Sequence, residues 1–138
     1  MSILINTKVK DVMIFYDYVP KVTRETILKE ALEEMGRTRL GIVCVIDQSK
    51  KLLGIITDGD IRRKLLNVQK PFSAFFVDDV LDHSIKSPYI IKPEDALMRA
   101  LDVMEERQIW DLPVVDNGTL IGLLHLHRVV KILMENKG

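Results

Sequence analysis

The segment Gly54-Ile55-Ile56-Thr57-Asp58-Gly59-Asp60 holds the residues of this chain best suited to chemistry. An apolar run leads into it and a helical pattern leaves it. Thr57 and the first amides of that helix can therefore donate to a phosphate oxygen. The Asp60 carboxylate can accept two bonds from the vicinal hydroxyls of a ribose. Gly59 permits close approach of a ligand to the backbone. Arg62 and Arg63 offer guanidinium groups to a phosphate, or else form a solvated helix face. The same spacing has a second use: Thr57-x-x-Asp60 is a variant of the capping box, and Asp58 and Asp60 suit the positive end of a helix dipole. Spacing alone leaves both uses open, with capping the commoner.

Three further residue types carry possible chemistry. His125 and His127 stand two apart at the end of an apolar stretch, and if the extended backbone continues they share a side and could chelate a metal. Few other ligands accompany them: His83 is distant in sequence, and Cys44 lies inside the apolar run Ile42 to Ile46, where a buried thiol in a reducing compartment is expected. No metal site is predicted, and a pH-sensitive hydrogen-bonding role suits the histidines better. Trp110, the single tryptophan, is expected to pack, although it could stack on a base. No nucleophile-base arrangement and no phosphate loop of the GxxxxGK[ST] kind is visible, so the chain is read as a non-enzyme.

Composition narrows the partners. Twenty basic and twenty acidic residues cancel, leaving no net field for nucleic acid or an anionic membrane, so any ligand must be held by a local constellation. A hydrophobic content of 47% with 29% charge is that of a globular protein. No apolar run approaches the roughly 20 residues of a membrane span, and MSILINTKVK lacks the apolar core of a leader. The expected location is the cytoplasm.

The elements that position these residues occur twice. DQSKKLLGIITDGDIRRKL, from Asp47, returns as DNGTLIGLLHLHRVVKIL, from Asp116. Ile27, Leu28, Ala31, Leu32 and Met35 return as Ala96, Leu97, Ala100, Leu101 and Met104, the apolar stripe of an amphipathic helix. These helices are predicted to open at Thr26 and Asp95 and to end near Gly36 and Arg107. Short extended stretches precede them at Lys21 to Thr23 and Tyr89 to Ile91, and helical turns come earlier still, at Val9 to Met13 and Val77 to Leu81. Strands follow at Gly41 to Ile46 and Leu52 to Ile56, and at Leu112 to Val115 and Thr119 to Leu124. Asn117-Gly118 marks a tight hairpin. Closing helices are expected at Asp58 to Leu66 and His127 to Met134. The predicted fold is α/β in the α+β sense, a β-α-β-β-α unit used twice, with residues 1–68 holding the first repeat and its leading segment and 69–138 the connection and the second repeat. Phe72, Phe75 and Phe76 make the connection too apolar for a flexible linker, so it is expected to pack within the chain or else to form part of a contact between protomers.

GIITDGDIRRKL and GLLHLHRVVKIL together resemble the ends of the two motifs in a cystathionine beta-synthase (CBS) domain pair, and the resemblance covers essentially the whole chain. The Thr-Asp-Gly-Asp-Ile-Arg-Arg turn is also similar to that in the C-terminal part of bacterial arabinose-5-phosphate isomerases. The resemblance implies two repeats packed about a pseudo-two-fold axis with clefts at their interface, and a flat homodimer formed through the helices. It implies that Thr57 and Asp60 contact the phosphate and ribose of an adenine nucleotide (AMP, ADP or ATP) or a CMP-sugar. It implies too that binding in the cleft modulates a sugar-phosphate isomerase or another catalytic domain, no cofactor being required. In the second copy His125 replaces the threonine and Arg128 the aspartate, so a cation stands where a ribose acceptor is expected. One nucleotide site per chain is expected. A module that only dimerises, with Thr57 to Asp60 as a plain cap, is the alternative.

Overall fold

The computed structural model describes residues 5–135; the opening residues of MSILINTKVK lie outside them. The chain forms two compact units, one running from Pro20 to Pro88 and the other joining the residues up to Val19 with those from Tyr89 onward. The units thus trade their leading segments relative to the sequence repeats. The turn before the second repeat belongs to the unit built on the first, and the turn before the first repeat belongs to the unit built on the second.

The Pro20–Pro88 unit contains β2 (Lys21–Thr23), α2 (Leu28–Thr38), β3 (Ile42–Ile46), β4 (Leu52–Thr57), α3 (Asp58–Asn67) and α4 (Phe72–Phe76), then a 3-10 turn at Val80–His83. Its sheet has the order β2-β3-β4, with β2 parallel and β4 antiparallel to β3. All five residues of β3 are buried, Cys44 among them, as expected for a central strand covered on both faces. Phe75 of α4 is 1% exposed and packs with Leu28, Val43, Ile56 and Ile61, and Phe76 packs against the same cluster, whereas Phe72 is 56% exposed.

The other unit contains α1 (Val9–Val12), β1 (Ile14–Phe15), α5 (Leu97–Arg107), β5 (Asp111–Asp116), β6 (Thr119–His125) and α6 (Leu126–Glu135). Its sheet has the order β1-β6-β5, entirely antiparallel. Asn117 and Gly118 both have positive φ, 51° and 85°, as the predicted hairpin requires. Tyr89 to Ile91 contributes only one parallel bridge, Ile91 to Val114, and the third strand comes from β1 on the opposite edge. All buried side chains among the described residues are apolar.

The two core helices begin at Leu28 and Leu97, two residues later than predicted, and neither N-cap, Ile27 or Ala96, makes a side-chain capping bond. The reason is a long-range exchange of backbone hydrogen bonds. Leu28 N–H donates to the Asp78 carbonyl at 2.8 Å and Val80 N–H to the Thr26 carbonyl at 2.9 Å. In the other unit Leu97 N–H donates to the Thr7 carbonyl and Val9 N–H to the Asp95 carbonyl, both at 2.9 Å. Ile27 and Ala96 are held extended by this pairing, each in an antiparallel bridge, so Thr26 and Asp95 stand one residue too early to cap. At its other end α2 runs two residues past Gly36, to Thr38, and stops where Arg39 turns left-handed at φ 60°.

Each exchanged segment also crosses a strand at a glycine. A Cβ on Gly122 would stand 2.7 Å from the Ile14 carbonyl oxygen and 2.6 Å from Met13 Sδ; one on Gly54 would stand 2.9 Å from the Ile85 carbonyl oxygen. Backbone cannot yield as a side-chain tip can. Gly54→Ala and Gly122→Ala should therefore each lower the unfolding free energy by about 1–3 kcal/mol. Gly36→Ala, in a helix with nothing within 4 Å of the new methyl, should raise it by about 0.5–1 kcal/mol. Urea titration of the three variants checks both signs.

Candidate functional site

Antiparallel pairing of β3 and β4 sets Thr57 opposite Ile42 at the end of the sheet. The turn closes when Asp58 N–H donates to the Gly41 carbonyl at 3.0 Å. The Asp58 carboxylate lies against Gly41, its Oδ2 3.1 Å from where a Cβ would be. The sheet thus fixes Thr57 as the N-cap of α3, with Asp58, Gly59 and Asp60 as its first three residues.

The capping box is complete. Asp60 N–H donates to Thr57 Oγ1 at 3.2 Å, and Thr57 N–H donates back to Asp60 Oδ2 at 3.2 Å. The Thr57 hydroxyl also donates to Asp60 Oδ2, at 2.8 Å, so its proton is already committed. Asp60 Oδ1 accepts from the Arg63 guanidinium at 2.7 Å. The amides of Thr57, Asp58 and Asp60 are satisfied, whereas that of Gly59 has no acceptor among the described residues. A first-turn amide left over in this way is a donor for an anion.

Of the two arginines, Arg63 is the one that meets the site. Its guanidinium lies over Gly59, with a terminal nitrogen 3.3 Å from the position of a Cβ, while the nearest Arg62 nitrogen is 3.8 Å away. Arg62 is solvent-exposed. Arg128 is the third residue of α6, in the other unit, and makes no ion pair among the described residues.

The turn of the second copy is built by other means. Leu126 N–H donates to the Trp110 carbonyl at 2.9 Å, the counterpart of the Asp58 bond, but the cap position holds His125, whose Nδ1 lies 2.6 Å from Asp111 Oδ1. That hydrogen bond raises the His125 pKa above 6.5, against the opposing effect of burial. The extended backbone does not continue to His127: α6 starts at Leu126, and the imidazole centroids are 6.4 Å apart. Among the described residues there is no group of three or more His, Cys, Asp or Glu able to hold a metal. Trp110, expected to pack, is 69% exposed.

Two of these partners escaped the sequence reading. The Asp60–Arg63 pair had a signal in its i,i+3 acid-to-base spacing. The Asp111–His125 pair had none, because counting outward from Asn117-Gly118 sets Asp111 opposite Leu124; a β-bulge between Val114 and Val115 moves the register to His125.

A twice-used sheet-and-helix unit, each copy ending in a strand-to-helix turn, defines a tandem repeat module. The chain belongs to the CBS domain family, whose model matches residues 9–67 and 77–135. Among curated relatives, the arabinose 5-phosphate isomerase KdsD of Escherichia coli K12 is 30% identical over 124 residues. The uncharacterized protein RP505 of Rickettsia prowazekii is 32% identical over 126. These alignments take in 90% and 91% of the chain but only 37% and 38% of the relatives' lengths. The chain is similar in structure to CBSX2 in complex with AMP, at TM-score 0.84 and 28% identity, covering 96% of this chain and all of that one. A putative acetoin utilization protein, AcuB, from Vibrio cholerae matches at TM-score 0.81 and 26% identity, covering 95% of this chain and 93% of its own. No described helix is long and apolar enough to cross a membrane.

Thr57→Ala should cost about 1 kcal/mol by removing the cap of α3, read from urea unfolding. The His125–Asp111 pair should make stability depend on pH. A histidine whose folded pKa is raised stabilises most below its ordinary value of 6.5 and loses that contribution as pH rises through the raised value. Asp111→Asn should be less stable than wild type by about 1–2 kcal/mol at pH 6, and the gap should narrow in unfolding curves taken at progressively alkaline pH.

Proposed function

We propose that this chain is a regulatory module, without catalytic activity of its own, that binds a nucleotide at the Thr57-to-Asp60 turn and modulates a fused or partner domain. The observation that carries this reading is the pairing, on one helical turn, of the unsatisfied Gly59 amide with the Asp60 carboxylate. The first is a donor for a phosphate oxygen and the second an acceptor for ribose hydroxyls. Asp58 lies in that turn and Arg62 follows it, and Arg128 holds the place of Asp60 in the second copy, where an anion would suit it. The complex of the similar CBSX2 with AMP supports an adenine nucleotide, AMP, ADP or ATP, as ligand. A CMP-sugar is the other choice, implied by the resemblance alone, and the KdsD relatives support a sugar-phosphate isomerase as the controlled domain. Neither ligand calls for a cofactor or a metal.

Exposed apolar residues on α5 and α6, Met98 (39%), Val130 (42%) and Met134 (69%), support a homodimer formed through these helices. The buried Cys44 thiol fits a cytoplasmic setting. In this reading a ligand shifts the partner's activity by no more than its difference in affinity for the two states of the assembly.

The fully bonded capping box favours a second reading, in which the chain serves only for assembly and Thr57 and Asp60 are structural. A thermal-shift panel of AMP, ADP, ATP, CMP, a CMP-sugar acid and S-adenosylmethionine separates the two. A ligand at a hundred times its dissociation constant should add about 2.7 kcal/mol of stability to wild type and nothing to Asp60→Ala. A dimer that no ligand stabilises, with Asp60→Ala merely less stable, would establish the assembly reading instead.

A further inference from the structure

We propose that Arg63 is a latch on Asp60, which a ribose diol must open and whose released guanidinium then holds the ligand's phosphate. The inference rests on the nucleotide reading above and adds a residue and a selectivity to it. It begins with a count of acceptors. An ionised carboxylate offers about four acceptor positions. Three are filled on Asp60: Oδ2 takes the Thr57 amide and hydroxyl, and Oδ1 takes Arg63. One position remains, enough for a single hydroxyl. A vicinal diol brings two donors, so the second can be accepted only where Arg63 now binds.

Arg63 is the partner that yields. The two Thr57 bonds belong to the cap of α3 and cannot be given up without fraying the helix. The Arg63 side chain is 63% exposed, against 16% for Asp60, and a solvent-exposed ion pair is weak. Its guanidinium is also parked over Gly59 at the positive end of the helix dipole, where a cation is disfavoured and only the carboxylate keeps it. Once freed, it is still tethered within reach of Gly59, whose amide has no acceptor among the described residues. A phosphate arriving there would meet an amide, a helix N-terminus and a guanidinium together. Diol binding and phosphate binding thereby become coupled: the sugar releases the cation that the phosphate needs.

A simple phosphate-binding arginine would serve ribose and deoxyribose ligands equally, and the latch does not. Isothermal titration of the full chain with adenosine and AMP, cytidine and CMP, and the 2′-deoxy counterpart of each, gives the test. In wild type the phosphate should improve ribonucleoside affinity at least about tenfold. It should improve deoxyribonucleoside affinity far less, because one hydroxyl leaves the latch closed. In Arg63→Ala the two phosphate increments should become equal. The bare ribonucleoside should bind up to about fivefold more tightly than to wild type, there being no ion pair to break. Arg63→Lys should restore part of the ribose-dependent increment. Equal increments for ribose and deoxyribose in wild type, or increments unchanged in Arg63→Ala, would overturn the latch while leaving the nucleotide site intact. Absence of binding by every compound would remove the nucleotide reading and the latch with it.

Discussion

Everything in this molecule hangs on backbone hydrogen bonds between the start of each core helix and a segment far away along the chain. Leu28 and Leu97 donate to the carbonyls of Asp78 and Thr7, and Val80 and Val9 donate back to Thr26 and Asp95. A helix start has amides with no internal acceptor, and leaving them bare beside a core costs on the order of 1–3 kcal/mol each. Here the repeat solves this without side chains. The borrowed segment satisfies the amides, buries Val9 or Val80 and then crosses a strand at Gly122 or Gly54. Each unit needs a piece of the other repeat's sequence. Two small units that are marginal alone are thereby tied to one chain.

With the sheet fixed, the position of the Thr57-to-Asp60 turn follows. The hairpin carries Thr57 to the edge opposite Ile42, and Asp58 closes onto Gly41. Capping and binding are then not competing uses of the same residues. The box orders the first turn and leaves one amide, that of Gly59, without an acceptor among the described residues. The copies diverge here as well as in their sheets. The first caps its helix with a hydroxyl and a carboxylate, whereas the second has an imidazole on Asp111 at 2.6 Å. Duplication has kept the turn's closing bond, from Asp58 or Leu126, and let its chemistry change.

Read alone, the sequence determined the repeat, the helix stripes, the Asn117-Gly118 hairpin, the packing of Phe75 and Phe76, the buried Cys44 and the capping box. All of these are local or periodic, and side-chain type records them directly. Tertiary structure decided which leading segment joins which core, where the core helices begin, and why β1 rather than Tyr89 to Ile91 supplies a strand. Those outcomes are made by peptide groups, which every residue has, so no residue type announces them. The bulge after Val114 that brings Asp111 to His125 belongs to the same class. The pairing of Arg63, rather than its neighbour Arg62, with Asp60 is of the legible kind instead, since i,i+3 spacing sets the two side chains on one face of α3.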